Sequence, residues 1–212
     1  GEPVPGGFVP MAEQSSLVRP LTLWVVRAAL AQLRSWLDAD LTVGVSINLS
    51  ARNLHDQRLV MDIAALLSEF DIPASLLTFE VTESALMADL AQATNVLQGI
   101  KGLGADISID DFGTGYSSYS YLRGSIIDEI KIDRMFVSGM VDHPRDRMIV
   151  RSIIQLGHDL GLRVVAEGAE TAAVVEMLAS MGCDVVQGYE IARPAPADHF
   201  AAFVRDRGRN AA

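Results

Sequence analysis

The chain carries a single cysteine, Cys183, among 212 residues. No disulfide can therefore form within it, which suits a reducing compartment such as the cytoplasm. With no second Cys or nearby His to activate it, Cys183 reads as an ordinary core residue. Cations are also in deficit, with 17 Lys and Arg against 27 Asp and Glu for a formal net charge of −10. A surface for DNA or RNA polymers needs clustered Lys and Arg, so none is expected. A small anionic ligand remains compatible, provided metal ions or a local positive group receive it. No stretch approaches the roughly 20 consecutive apolar residues that cross a bilayer, so this domain is not expected to insert in a membrane. The opening from Gly1 to Gly7 lacks a basic segment followed by an apolar run, does not read as a signal peptide, and reads as a loop within a longer protein.

Other residue types are present but fall in the wrong places for chemistry. The histidines, His55, His143, His158 and His199, sit in or beside helical stretches, and none is expected to bind a metal. Trp24 and Trp36 fall in the apolar stripe of the first helix, where core or interface packing is expected.

Half the residues are hydrophobic and 21% are charged, a balance that supports one globular domain with a full core. A short β-branched apolar run, a turn and an amphipathic segment of helical length recur along the chain, the pattern of parallel βα units. The runs are Thr42 to Ile47, Leu76 to Phe79, Ala105 to Ile109, Asp128 to Ile132, Arg163 to Ala166 and Asp184 to Val186. Helices are expected near 16–38, 57–70, 88–103, 145–161, 171–181 and 197–206, with at most a short one after 113. The expected domain spans 1–204, and 205–212 are expected to fray or to enter a linker.

Each run ends in a polar residue where a buried strand would emerge: Asn48, Glu80, Asp110 with Asp111, Lys131, Glu167 and Gln187. In a parallel barrel these ends converge on one face, where such folds keep their active sites. Unit charges a few Å apart interact by several kcal/mol even at an effective dielectric constant of ~20, so the clustered carboxylates require neutralisation that Lys131 alone cannot supply. Hard oxygen ligands favour Mg²⁺ or Mn²⁺, and the adjacent Asp110 and Asp111 suit two ions. Such two-metal sites activate water for in-line displacement at phosphorus, which makes phosphoester hydrolysis the leading reaction. Simpler roles stay open for several of these residues: Glu83 beginning a helix, Lys131 paired with Asp133, and Asn48 satisfying turn backbone. A barrel enzyme that uses carboxylates, Mg²⁺ and a Lys base for proton abstraction is a further alternative.

The segment from Asp110 to Ser118, Asp-Asp-Phe-Gly-Thr-Gly-Tyr-Ser-Ser, places two glycines and several hydroxyls after a strand, as a loop approaching an anion requires. It resembles the corresponding loop of EAL domains. Phe79-Glu80-Val81-Thr82-Glu83 resembles that family's E-x-T-E element, Ile47-Asn48-Leu49-Ser50 its N-L-S element and Lys131-Ile132-Asp133 its K-I-D. Ala166-Glu167-Gly168-Ala169-Glu170-Thr171 and Gln187-Gly188-Tyr189 with Arg193-Pro194 are similar to its two last elements, so the resemblance runs from about residue 7 to 200.

The resemblance implies an α/β fold of TIM-like (β/α) barrel type and metal-dependent opening of cyclic di-GMP to linear pGpG. It implies that Asn48, Glu80, Asp110 and Asp111 bind two Mg²⁺ or Mn²⁺ ions, with Glu167 as a further ligand or the base for the attacking water. Lys131 would hold that water, Gln187 would order the site, Glu83 would brace the loop after Asp111, and Glu170 would support it. Substrate-facing or supporting places are implied for Gly113, Thr114, Gly115, Tyr116, Ser117, Asp133, Arg193 and Pro194. EAL domains of this kind often pair through the region after the fourth strand, here Arg134 to Arg147, so a homodimer is compatible. Fusion to sensory or GGDEF-type domains in the parent protein is also implied.

Three features depart from the pattern. The E-A-L signature, whose Glu is a ligand, and its following Arg are absent. An eight-stranded barrel typically takes about 250 residues, and about six of its strands are expected here, in an N-terminally truncated domain. Asn53 stands where Gln is usual, Tyr119 where Leu is usual, and Ser125-Ile126 where Leu-Pro is usual. The alternative reading is therefore an inactive EAL domain that binds the dinucleotide or a protein partner without turnover.

Overall fold

The computed structural model describes residues 5–13, 15–115, 121 and 126–210. Strands β1 (Val45–Leu49), β2 (Leu77–Thr82), β3 (Asp106–Phe112), β4 (Glu129–Ile132), β5 (Arg163–Ala166) and β6 (Val185–Val186) form one six-stranded sheet. Every neighbouring pair is parallel and the spatial order follows the sequence. Between the strands run α3 (Arg58–Phe70), α4 (Glu83–Ala88) with α5 (Leu90–Gly102), α6 (Arg134–Val137) with α7 (Pro144–Asp159), and α8 (Ala172–Ser180). Helices α1 (Pro5–Glu13) and α2 (Val18–Asp38) precede the sheet, and α9 (Ala197–Asn210) follows it. This is the expected run of βα units, with β1 and β6 as the sheet's two edges.

The central strands alternate between their two faces up to their C-terminal ends. On β2, Leu77, Phe79 and Val81 are fully buried in the core, while Thr78, Glu80 and Thr82 occupy the intervening positions. On β3, Ile107 and Ile109 alternate with Asp106, Ser108 and Asp110, and on β4, Ile130 and Ile132 alternate with Glu129 and Lys131. The period of 2 sends the apolar set outward under the helices and the polar set inward. The helices answer with matching stripes. Leu59, Ile63, Leu66 and Leu67 line the buried side of α3, and Val18, Thr22, Val26, Leu30 and Leu33 that of α2.

Several boundaries differ from the sequence expectation, each for a local reason. The helix expected over 88–103 breaks at Asp89, whose side chain accepts from Gln92 N and starts α5 afresh. Its predecessor α4 begins at Glu83 behind Thr82, whose hydroxyl accepts from Ala85 N at 3.2 Å. Residues 5–7, expected in a loop, open α1 with Pro5 at the first helical position, where its missing N–H costs nothing. At the other end α9 runs through Asn210, past the frayed tail expected from 205, and Arg205 Nη2 donates to Ala39 O at 3.2 Å.

Trp24 corrects the core part of the packing expectation. It is 67% exposed, because it lies two residues from Val26 and so on the opposite side of α2 from the buried stripe. Trp36 packs against the core and meets the Phe200 ring at 5.3 Å between centroids. Cys183 is half-buried and packed against the core, and burial pushes its thiol up to about 11. Among the described residues, no helix is long and apolar enough to cross a membrane.

Candidate active site at the strand ends

Residues that end neighbouring parallel strands share a level across the sheet, and the register makes this concrete. Asn48 pairs with Glu80, Glu80 with Ser108, Thr82 with Asp110, and Lys131 with Val165 one residue before Ala166. At β3 the register slips: Ile109 faces Ile130 but Phe112 faces Ile132, so Asp110 and Asp111 together oppose Lys131. This is a β-bulge, and Asp111 adopts the left-handed conformation it needs, with φ 54°. In a regular strand two consecutive side chains point to opposite faces. The bulge removes that alternation and lets both aspartates serve one site.

Lys131 Nζ is the focus. It lies 2.6 Å from Glu167 Oε1, 2.7 Å from Glu80 Oε2 and 3.4 Å from Asp110 Oδ1. Three carboxylates from three strand ends thus reach the nitrogen of a residue that is only 4% exposed. Burial works against the ammonium charge, but the hydrogen bonds to Glu167 and Glu80 and the charges of Glu80 and Asp110 outweigh it, so its pKa is raised. Glu167 is held above the ordinary range chiefly by burial, which Lys131 only partly offsets.

Asp111 lies beyond the reach of that ammonium. Its carboxyl is pushed up to about 6 by burial, by a hydrogen bond shared with Asp133, and by the negative charges of Asp110, Asp133 and Glu167. Asp133 also caps α6, accepting from Met135 N. Negative charge at Asp110 and Asp111 therefore exceeds what Lys131 neutralises. Among the described residues no trio of His, Cys, Asp or Glu is drawn tight enough to hold an ion by itself, because the carboxylates close on the ammonium instead. The donor set still fits a hard cation: the groups are oxygen acceptors, and their mutual repulsion at Asp111 is the strain a cation would relieve.

The loop after the bulge is tied from below. Glu83, 1% exposed, accepts from Gly113 N at 3.2 Å, and Gly113 itself takes φ 95°. A Cβ added at Gly115 would stand 3.2 Å from the Glu83 carboxyl carbon. Thr114 Oγ1 donates to Asp111 O at 2.8 Å and closes the turn. Tyr116 and Ser117 lie outside the described residues.

The remaining expected residues stand at the margins. Asn48 is exposed on edge strand β1 and lines a cavity of about 660 Å³ with Ser50, Thr82, Leu21 and Val25. Gln187, also exposed, joins Tyr189, Arg193 and Pro194 in a second cavity of about 650 Å³ that reaches Val45 of β1 and Trp36. Within it the Arg193 guanidinium lies 4.5 Å above the Tyr189 ring. Gly188 has no room for a side chain, since a Cβ there would meet Ala169 O at 2.1 Å. The backbones after β5 and β6 thus touch, with Ala169 N donating to Gln187 O. Glu170 is exposed, and among the described residues it makes no hydrogen bond or ion pair with the Lys131 centre. Of the expected set, Glu80, Asp110, Asp111, Lys131, Asp133 and Glu167 come together.

One layer was missed by looking only at strand ends. Two residues before Lys131, Glu129 is buried and accepts from Arg163 Nε at 2.6 Å, and the buried Ser108 hydroxyl stands between the Glu80 and Glu129 strands. Stepping back by two from each end, the period of a strand, would have found both.

A family model described as EAL domain matches residues 1–194. The chain belongs to the EAL domain family. It is 40% identical over 200 residues to the signaling protein YkoW of Bacillus subtilis, covering 94% of this chain and 25% of that protein. It is likewise 40% identical over 201 residues to the bifunctional diguanylate cyclase/cyclic di-GMP phosphodiesterase MucR of Pseudomonas aeruginosa, covering 94% of this chain and 29% of MucR. A solved PaMucR phosphodiesterase in complex with c-di-GMP superposes with a TM-score of 0.87 at 40% identity, covering 93% of this chain and 80% of that one. The fold is thus that of EAL barrel domains. This EAL chain spans between a quarter and a third of the length of these curated relatives.

Proposed function

We propose that residues 1–204 form the catalytic EAL unit of a longer signalling protein and hydrolyse cyclic di-GMP to linear pGpG. The observation that carries the reading is the convergence of Glu80, Asp110 and Glu167 on Lys131 Nζ beside the crowded Asp111. In the reaction a water oxygen forms a bond to phosphorus as one ribose ester P–O bond breaks, and the leaving ribose oxygen takes a proton from solvent water. Glu167, its proton affinity raised by burial, accepts the proton of the attacking water. Lys131 orients that water and balances charge developing on the phosphoryl oxygens. Asn48, Glu80, Asp110, Asp111 and Glu167 would hold two Mg²⁺ or Mn²⁺ ions, which polarise water and phosphate when bound.

Glu83 braces the loop after Asp111, where Gly113, Thr114 and Gly115 face the dinucleotide. Gln187, Arg193 and Pro194 border the dinucleotide from the β6 side, and Glu170 supports Glu167 from the following loop. The E-A-L segment expected from the family's pattern would belong to the parent protein, together with sensory or GGDEF-type domains. Pairing of two copies through the region after β4 would cover the exposed Met135 on α6 and Met148 and Ile149 on α7. The cytoplasm, where the dinucleotide circulates and Cys183 stays reduced, is the compartment this function requires.

The test is turnover by the parent protein with Mn²⁺, read as pGpG formed from cyclic di-GMP. Loss of product on Glu167→Gln with dinucleotide binding retained is the expected result. Binding without any product in the unaltered parent protein would replace the enzyme by a receptor.

A further inference from the structure

The exit of β1 is locked by an amide that the proposed chemistry does not use. Asn53 is 2% exposed. Its Oδ1 accepts from Ser50 N at 2.9 Å, from Ser50 Oγ at 2.8 Å and from Thr22 Oγ1 at 3.2 Å. Since a backbone N–H can only donate, the Ser50 bond fixes which end of the amide faces the turn. In return Asn53 N donates to Ser50 O at 3.0 Å. Ser50 and Asn53 thus satisfy each other's backbone across a Ser-x-x-Asn span, in the manner of a capping box with a short third-position side chain. The Thr22 contact ties this turn to the buried face of α2, where Thr22 Oγ1 also approaches Val18 O at 2.9 Å.

Ser50 follows Asn48 by two residues. Asn48 is held opposite Glu80 by the pairing of β1 with β2 and by the turn into which its strand runs. We propose that Asn53 is a positioning residue: by locking the Ser50 turn onto α2 it sets the place of the Asn48 carboxamide beside Glu80, and so the affinity of the site for its divalent ion. The proposal rests on the reading of Asn48 as a metal ligand.

Two measurements on the parent protein test it. Amide hydrogen exchange at Ser50 reads the lock without any metal, and Asn53→Ala is expected to speed it by about tenfold or more, as loss of a buried acceptor allows. Mn²⁺ affinity by calorimetry reads the consequence, and Asn53→Ala is expected to weaken it about 10-fold to 100-fold, the range for residues that orient a ligand. Asn53→Gln, which keeps the amide on a side chain one methylene longer, is expected to restore most of the affinity. Ile63→Val, which thins the core of α3 away from the turn, should leave it unchanged. Should Asn53→Ala not fold, Thr22→Val is read in the same two ways with smaller shifts.

Unchanged Ser50 exchange, or Mn²⁺ affinity unmoved in Asn53→Ala while Asn48→Ala weakens it, overturns the proposal and leaves the ligand reading standing. If Asn48→Ala itself leaves Mn²⁺ affinity intact, Asn48 is no ligand and the positioning role falls with it. The carboxylates would then keep their proposed ligand roles.

Discussion

The centre of the sheet and its margins carry the same kinds of polar strand-end residue, yet they are built differently. Lys131 and Glu80 sit on strands paired on both sides and are almost fully buried, in contact with one another. Asn48 and Gln187 sit at or just beyond the edge strands β1 and β6 and are exposed. Fixed geometry therefore follows from a strand's place in the sheet and not from the chemistry of its last residue. Lys131→Met tests the centre most severely. It leaves Glu80 and Glu167 without their shared cation, and breaking a buried ion pair on one side typically costs about 3 to 5 kcal/mol. Denaturant unfolding should register that loss, and product formation should vanish with it. A cost within about 0.5 kcal/mol would mean that water already serves these carboxylates, and the contrast between centre and margin would collapse.

Glu83 stands between the two regions, buried like the centre but serving a loop. Glu83→Ala strips the acceptor from the half-buried Gly113 N, and an orphaned donor costs at most about 1 to 3 kcal/mol. Unfolding should show a loss in that range, smaller than that of Lys131→Met, together with reduced turnover. Glu83→Gln, which keeps an acceptor oxygen, should recover most of the stability.

Asp111 supplies a pH test that needs no substrate. Its folded carboxyl is raised from 3.8 to about 6, so between those values the folded state keeps a proton that the unfolded chain has released. The contribution of this group to stability therefore falls as pH rises from about 4 to about 6 and levels off above. Metal-free Asp111→Asn should gain on the unaltered protein through that window, with the gap in melting temperature widest above pH 6. Mn²⁺ should close the gap by stabilising the ionised form. A gap independent of pH would show that crowding at the bulge does not perturb Asp111.

Much of this was legible in the sequence, and the omissions have physical causes. All six strands lie where apolar runs end in polar residues, because a strand that leaves a packed sheet at a functional face must switch from core to solvent there. The bulge was not legible: Asp110 and Asp111 could be placed at one site, but which conformation lets neighbours share a face depends on the pairing with β4. Glu129 with Arg163 was passed over because a charged residue at the start of an apolar run looks like its boundary. Glu170 shows a different limit, since the residues after Glu167 follow the family pattern while the exposure of this side chain is set by the fold. The side of α2 that Trp24 faces is hard to read from sequence, because an apolar residue two positions off a helical stripe is hard to distinguish from one on it.

The smallest expected effect lies at the margin, and it separates stability from function most cleanly. Asn48 is exposed and opposes Glu80 across a single strand pairing. Replacing an exposed side chain of this kind usually changes stability by no more than about 0.5 kcal/mol. On the proposed ligand role, its loss should nonetheless weaken Mn²⁺ binding by at least tenfold, because affinity depends on ligand number and geometry. Asn48→Ala is thus expected to unfold like the unaltered protein while needing far more Mn²⁺ to reach half its activity. A large loss of stability instead would show that the edge of β1 is held as firmly as the middle of the sheet, and the β1 exit would have to be regarded as part of the core.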